Sequence, residues 1–318
     1  MHAYLKYRPV WSQILLFIGM AFGIFLVFSF VGTLVLSSMT GISVYDLADS
    51  SKWDYQNPQT LVFIRGMLLI QFLSLFLIPV FLFAYFSDPA PLQYLGLRTQ
   101  TNPQFYLAAV LLLVVAVPLA GWLGMLNQEI PIPGGTYQWM KEMEDAASQQ
   151  VEFMLGKHNI SQLLVNLVFI AVFAGVGEEL FFRGVLQRLF IRWYKNPWAG
   201  IVTAAFIFSA IHMQFFGFLP RMMLGILLGA IYWYSGSLWA SILAHFFYDG
   251  LIVVLTYFNP AMIRDDAAVG LKGASIAVQG IISLVAVVGI IIWMKRRSTT
   301  SFEKVYANDK RPDNPFIM

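Results

Sequence analysis

Leu163-Leu164-Val165-Asn166-Leu167-Val168-Phe169-Ile170-Ala171-Val172-Phe173-Ala174-Gly175-Val176-Gly177 is an apolar run that ends on Glu178-Glu179-Leu180-Phe181-Phe182-Arg183. A run of about 20 apolar residues crosses the hydrocarbon core as a helix, so this stretch predicts a membrane span that ends on two adjacent carboxylates. Ionisable groups at such depth are costly unless they are paired or used. The rest of the chain is read outward from this helix.

Of the 318 residues, 58% are hydrophobic and 12% charged, against about 25% charged in soluble domains. Apolar runs long enough to span fall at about 11–36, 60–86, 104–126, 161–182, 198–216, 220–235, 237–258 and 274–294. The expected fold is therefore all-α, a polytopic transmembrane helical bundle of about eight spans. The first run is longer than a signal-peptide core and no small-residue cleavage site follows it, so it reads as a retained span. The chain has no cysteine, which excludes disulfide staples, thiolate catalysis and Cys-ligated metals. Its parts divide as N-terminal helices over 1–159, a core over 160–258, a last span within 259–297 and a polar tail over 298–318.

Lys and Arg placement predicts orientation. With Lys6 and Arg8 inside, eight spans put Arg98, Arg183, Arg188, Arg192, Lys195, Lys295, Arg296, Arg297, Lys304, Lys310 and Arg311 on the same side, 13 of the 20 basic residues. Both termini then lie in the cytoplasm, and the setting is a bacterial cytoplasmic (inner) membrane. The other side collects Asp46, Asp49, Asp54, Glu129, Glu142, Glu144, Asp145, Glu152, Asp265 and Asp266. Between spans three and four, 136–157 carries an apolar stripe (Met140, Met143, Ala147, Val151, Met154) and an acidic face, as a helix lying at the outer interface does. Arg65, near the outer end of span two, is expected to snorkel to that interface.

Two later runs each hold one histidine, His212 and His245. At about 1.5 Å rise per residue, Glu178 lies roughly 24 Å from Tyr194 and His212 roughly 21 Å past Trp198, so the two reach a similar depth on antiparallel helices. His245 lies about 12 Å inward from Ser237. All three are thus expected to converge in a pocket open to the cytoplasmic half of the bilayer. Within single helices, Glu179 and Arg183 are i,i+4 neighbours, as are Phe208 and His212, and His245 and Asp249. Pairing with Arg183 would leave Glu178 pointing elsewhere. A solvated helix end would explain the two glutamates alone, and inter-helix hydrogen bonding either histidine alone; the shared depth favours one site.

Glu178-Glu179-x-x-x-Arg183, Phe208-x-x-x-His212 and His245-x-x-x-Asp249 resemble, in order, the three motifs of the CPBP family, the CAAX-prenyl proteases and bacteriocin-processing enzymes also called the abortive-infection family. The resemblance covers about residues 160–255. It implies an intramembrane endopeptidase acting on a membrane protein or lipidated peptide, with no nucleic acid among its partners. Glu178 and His212 would activate water, the Glu179–Arg183 pair would stand beside them, and His245 with residue 249 would stabilise the oxyanion. Asp249, as an anion, cannot donate a hydrogen bond; it is either protonated or orients His245.

Glu178, His212, His245 and Asp249 are also all of zinc-ligand type, and family members include metalloendopeptidases, so a zinc site remains the competing arrangement. There is no His-Glu-x-x-His helix, and each role can be filled without a metal, which favours none being required. A non-catalytic scaffold for bacteriocin immunity or another membrane partner is the second function class. A transporter would show inverted repeats with broken helices, which this sequence lacks.

Overall fold

Asn57, Asn159 and Asn196 each precede an apolar run, and each caps a helix. Asn57 Oδ1 accepts from Gln59 N at 2.9 Å, Asn159 Oδ1 from Gln162 N at 2.9 Å, and Asn196 Oδ1 from Trp198 N at 2.9 Å and Ala199 N at 3.2 Å. Such bonds satisfy backbone donors that the first helical turn leaves without partners. Pro58 and Pro197, next in the chain, start their helices where no backbone N–H is needed.

The computed structural model describes residues 4–47, 52–100, 102–156, 159–260 and 274–306, and among them every regular element is a helix. Asp49, Asp265, Asp266, Lys310 and Arg311, placed above by charge alone, lie outside the described residues. The main elements are α1 (Val10–Thr40), α2 (Pro58–Ser87), α3 (Gln104–Gln128), α4 (Gly134–Leu155), α5 (Ile160–Tyr194), α6 (Pro197–Ile211), α7 (Phe218–Ser235), α8 (Leu238–Phe258), α9 (Ala274–Arg297) and a short α10 (Phe302–Tyr306). Seven stretches are long and apolar enough to span; α6 is apolar but shorter. All eight expected runs are therefore helical, with one correction to length.

That correction concerns α6, which stops at Ile211 rather than near 216. Its 15 residues rise about 22 Å, less than the roughly 30 Å hydrocarbon core. Met213 takes a left-handed φ of 56° immediately after His212, and Phe215–Gly217 form a tight turn into α7. Buried Asn127 of α3 repairs the interrupted backbone: its amide nitrogen donates to Phe215 O at 2.7 Å and its oxygen accepts from Leu219 N at 2.8 Å. Irregular backbone at membrane depth survives where protein groups satisfy it.

Helices α5 and α8 lie between two apolar clusters. One joins Phe17 and Ala21 of α1, Phe76, Val80 and Phe83 of α2, and Leu180 to Leu189 of α5. The other joins Leu112 and Leu113 of α3, Leu227 and Ile231 of α7, Ala240 and Ala244 of α8, and Val287 of α9. Close approach at one end is set by glycine. A Cβ on Gly200 would stand 2.4 Å from Ile191 Cγ1 and 2.5 Å from its backbone N. Gly200→Ala is therefore expected to destabilise the protein by about 1–3 kcal/mol, the usual cost of overpacking. A lowered thermal midpoint in detergent checks this; an unchanged midpoint would mean that α5 and α6 separate freely.

Two further expectations change. Arg65 does not snorkel: its Nη2 donates to Gln162 Oε1 at 2.7 Å and Asn166 Oδ1 at 2.8 Å, tying α2 to the start of α5. The reason is a pair of amide acceptors facing it within the bundle. Helix α4 packs less by its methionine stripe than by aromatic edges, Tyr137 on Phe216 and Trp139 on Phe215, and by buried Met154 and Leu155 at its end. Met143 and Val151 of the expected stripe remain exposed.

Candidate active site

Residues Leu167–Val172 and Ala174–Gln187 of α5 wind in wider π-helical turns, a form uncommon in proteins and frequent at functional sites. This winding sets consecutive Glu178 and Glu179 in different surroundings. Glu179 is fully buried, whereas the Glu178 side chain keeps 16% of its surface and faces a cavity.

Glu179 is the hub of a dense polar cluster. Arg183 Nη1 donates to its Oε1 at 2.7 Å, His245 Nδ1 meets the same oxygen at 2.9 Å, and the Ser241 hydroxyl donates to Oε2. Arg183, 1% exposed, also donates from Nη2 to Gly225 O at 3.0 Å and lies over the Phe208 ring, 4.8 Å from its centre. One carboxylate thus links α5, α7 and α8 inside the membrane, with opposite charge and hydrogen bonds offsetting its desolvation. The hydroxyl of Ser241 was not singled out from the sequence, although it stands one turn before His245 on the same helix. Ser241→Ala is expected to cost about 1–3 kcal/mol, the desolvation of a carboxylate oxygen left short of a partner, and thermal unfolding in detergent measures it.

His245 lies between two acids, with Nε2 3.3 Å from Asp249 Oδ2 and Nδ1 on Glu179. Both ring nitrogens therefore face carboxylate oxygens, and the ring donates to both only when it carries both protons. Asp249 thus stands within reach of His245, one turn further along the same helix. His212 closes the other wall. Its Nδ1 is 2.6 Å from Phe208 O, an acceptor, so the proton belongs on Nδ1 and Nε2 is left with its lone pair. That Nε2 lies 3.8 Å from Glu178 Oε1.

The cavity between these groups measures about 510 Å³ and is lined by Glu178, His212, His245 and Asp249 together with Arg221 and Tyr248. Arg221 was also missed, since a single basic residue after Pro220 reads as a helix end. Its guanidinium is held by Gln214, at 3.1 Å to the backbone O and 2.8 Å to Oε1, and it faces Glu178 and, from α4, Glu144. Ile170, Ala174, Gln214, Gly217, Pro220 and Val151 of α4 also line it. Gln214 and Gly217 belong to the turn between α6 and α7.

The same residues test the zinc alternative. A ligating imidazole must turn a nitrogen toward the metal, and both nitrogens of His245 are engaged by acids. Among the described residues no group of three His, Asp or Glu side chains is disposed to hold a metal ion.

The fold and the site together define an integral membrane protein with acids and imidazoles gathered inside its helical bundle. Residues 160–251 match the family described as type II CAAX prenyl endopeptidase Rce1-like, in agreement with the resemblance that the three motifs carry. The chain is also similar to the uncharacterized protein YpbD of Bacillus subtilis (strain 168), 30% identical over 98 residues, which are 30% of this chain and 47% of that protein. It thus spans about half the length of that curated relative. No solved structure matches it.

Proposed function

We propose that this cavity hydrolyses a peptide bond in a membrane-associated protein or lipidated peptide, with Glu178 as general base. The observation that carries the reading is the facing pair of acceptors, Glu178 Oε1 and His212 Nε2, 3.8 Å apart. The gap is long for a direct hydrogen bond and suits a shared water, which would give one hydrogen to each and present a lone pair to the cavity. Attack forms the new C–O bond as the water proton moves to Glu178 and the carbonyl pair moves onto its oxygen. Arg221 and Tyr248, donors lining the same hollow, are placed to meet that negative charge. Collapse breaks the C–N bond, and the proton on Glu178 passes to the leaving amine. Glu179, Arg183, Ser241, His245 and Asp249 hold the walls in register. The Rce1-like match supports the reading, because that family is one of endopeptidases.

Gln214, Gly217 and Pro220 in the lining lie at the far ends of α6 and α7 from the basic residues, so, with the basic end in the cytoplasm as Lys and Arg placement predicts, we infer that substrate segments enter from the opposite leaflet. Membrane proteomics comparing wild type with Glu178→Gln tests the function: products with new termini should vanish in the variant. If no peptide depends on Glu178 while the cellular phenotype persists, a binding scaffold replaces the hydrolase. Cleavage by the purified protein is expected to survive a chelator; loss reversed by added zinc would make the enzyme metal-dependent.

A further inference from the structure

Glu178 and Ala174 stand in the wall of a second, smaller hollow as well as in that of the large one. This side hollow measures about 120 Å³ and lies between α2 and α5. Phe72 and Phe76 of α2 and Phe169 and Phe173 of α5 line it, with Leu68 and Gln71 beside them on α2. The Glu178 side chain thus borders both the cavity that holds His212 and Asp249 and a hollow walled by phenyl rings.

Wide helical winding shapes both walls. Phe72–Leu77 of α2 form π-helical turns, as do Leu167–Val172 and Ala174–Gln187 of α5. Turns of this kind are rare and frequent at functional sites, and here both helices that flank one hollow carry them. The Phe72 and Phe173 rings stack between the two helices at 4.2 Å with 3° between their planes, and Phe169 packs on Phe173 at 5.0 Å. Gly177 lets α2 come this near: a Cβ there would stand 3.0 Å from Cδ2 of both Phe72 and Phe76. Gln71 falls near the middle of α2, at a depth where a polar side chain is costly and marks function. Its half-buried amide offers a donor and an acceptor to the hollow.

Size and lining name the occupant. A cavity of about 150 Å³ walled by Leu, Ile and Phe holds one benzene molecule. A space of about 120 Å³ with a similar wall therefore takes one apolar side chain of leucine size. The α2 half of that wall lies outside residues 160–251, so it belongs to this chain and not to the segment that the family match covers.

We propose that the side hollow is a specificity subsite for the reaction proposed above, and the inference rests on that reading. It takes the leucine-sized apolar side chain of a residue flanking the bond that is cut, while the Gln71 amide hydrogen-bonds a neighbouring peptide group. The four phenyl rings select by size and apolarity, and Gln71 sets the register of the substrate against Glu178.

Two readouts on the purified full-length protein, one of them without hydrolysis, separate failure of the subsite from failure of the reaction. Binding is followed by fluorine NMR of N-acetyl-trifluoroleucinamide. Wild type should broaden its signal saturably, with N-acetylleucinamide displacing it and N-acetylglycinamide not. Leu68→Trp, which fills the hollow, and Gln71→Leu, which removes the amide, should each weaken binding about tenfold. In a substrate found by proteomics, replacing the apolar residue beside the cut by alanine should lower kcat/KM of the wild type about 10- to 100-fold, and Leu68→Trp should shrink that ratio below about threefold. Where Leu68→Trp fails to fold, Gln71→Leu decides. A wild type that cuts nothing removes the proposed reaction, and the fluorine spectra still judge the hollow. Equal binding by wild type and both variants, or cut sites without an apolar flanking residue, overturns the subsite and leaves the hydrolase standing.

Discussion

Glu178→Gln is expected to lower the cleavage rate by about 10³-fold, within the range a general base contributes, while the protein remains folded. The side chain faces a cavity, with His212 Nε2 3.8 Å away, so little packing is lost. The amide is nearly isosteric and cannot accept the proton. The thermal midpoint should stay within about 2 °C of wild type, as for substitutions away from packed features. Single-turnover rates on a substrate found by proteomics, together with unfolding in detergent, check both halves. Retained cleavage would remove Glu178 from the chemistry, and a collapsed midpoint would make it a structural acid.

The neighbouring residue should behave in the opposite way. Glu179→Ala leaves Arg183 buried with its charge uncompensated and removes the acceptor of Ser241 and of His245 Nδ1. Breaking one partner of a buried ion pair costs about 3–5 kcal/mol, a large share of the roughly 5–15 kcal/mol that keeps a protein folded. The variant is expected to accumulate poorly in membranes and to elute as aggregate after solubilisation. The Glu179→Leu, Arg183→Met double variant should recover folded protein relative to either single change, since it removes both charges. If Glu179→Ala matched wild type in yield and midpoint, the cluster would not be holding α5, α7 and α8 together.

Much of this site was legible because its pairings within a helix follow the helical repeat. Glu179 with Arg183, Phe208 with His212 and His245 with Asp249 all meet in the structure at the spacing that four residues along a helix imply. Ser241 obeys the same rule with His245, but serine is too common in apolar helices to stand out. Arg221, Gln214 and Asn127 were not legible, because their partners lie across turns or on other helices. The turn at Met213 left no mark in the apolar pattern, and so the reading of α6 ran too long.

The amino-acid order by itself determined that this is a membrane bundle, that its ionisable groups fall on three runs at matched depth, and that Arg183 answers Glu179. Hydropathy, length and helical periodicity are properties of short stretches, and no packing is needed to read them. Only the tertiary structure decided which carboxylate faces the hollow and that His245 lies between two acids. Those outcomes depend on the winding and rotation of α5 and on where glycine lets helices close. Such relations arise between elements distant in the chain, where no local pattern records them.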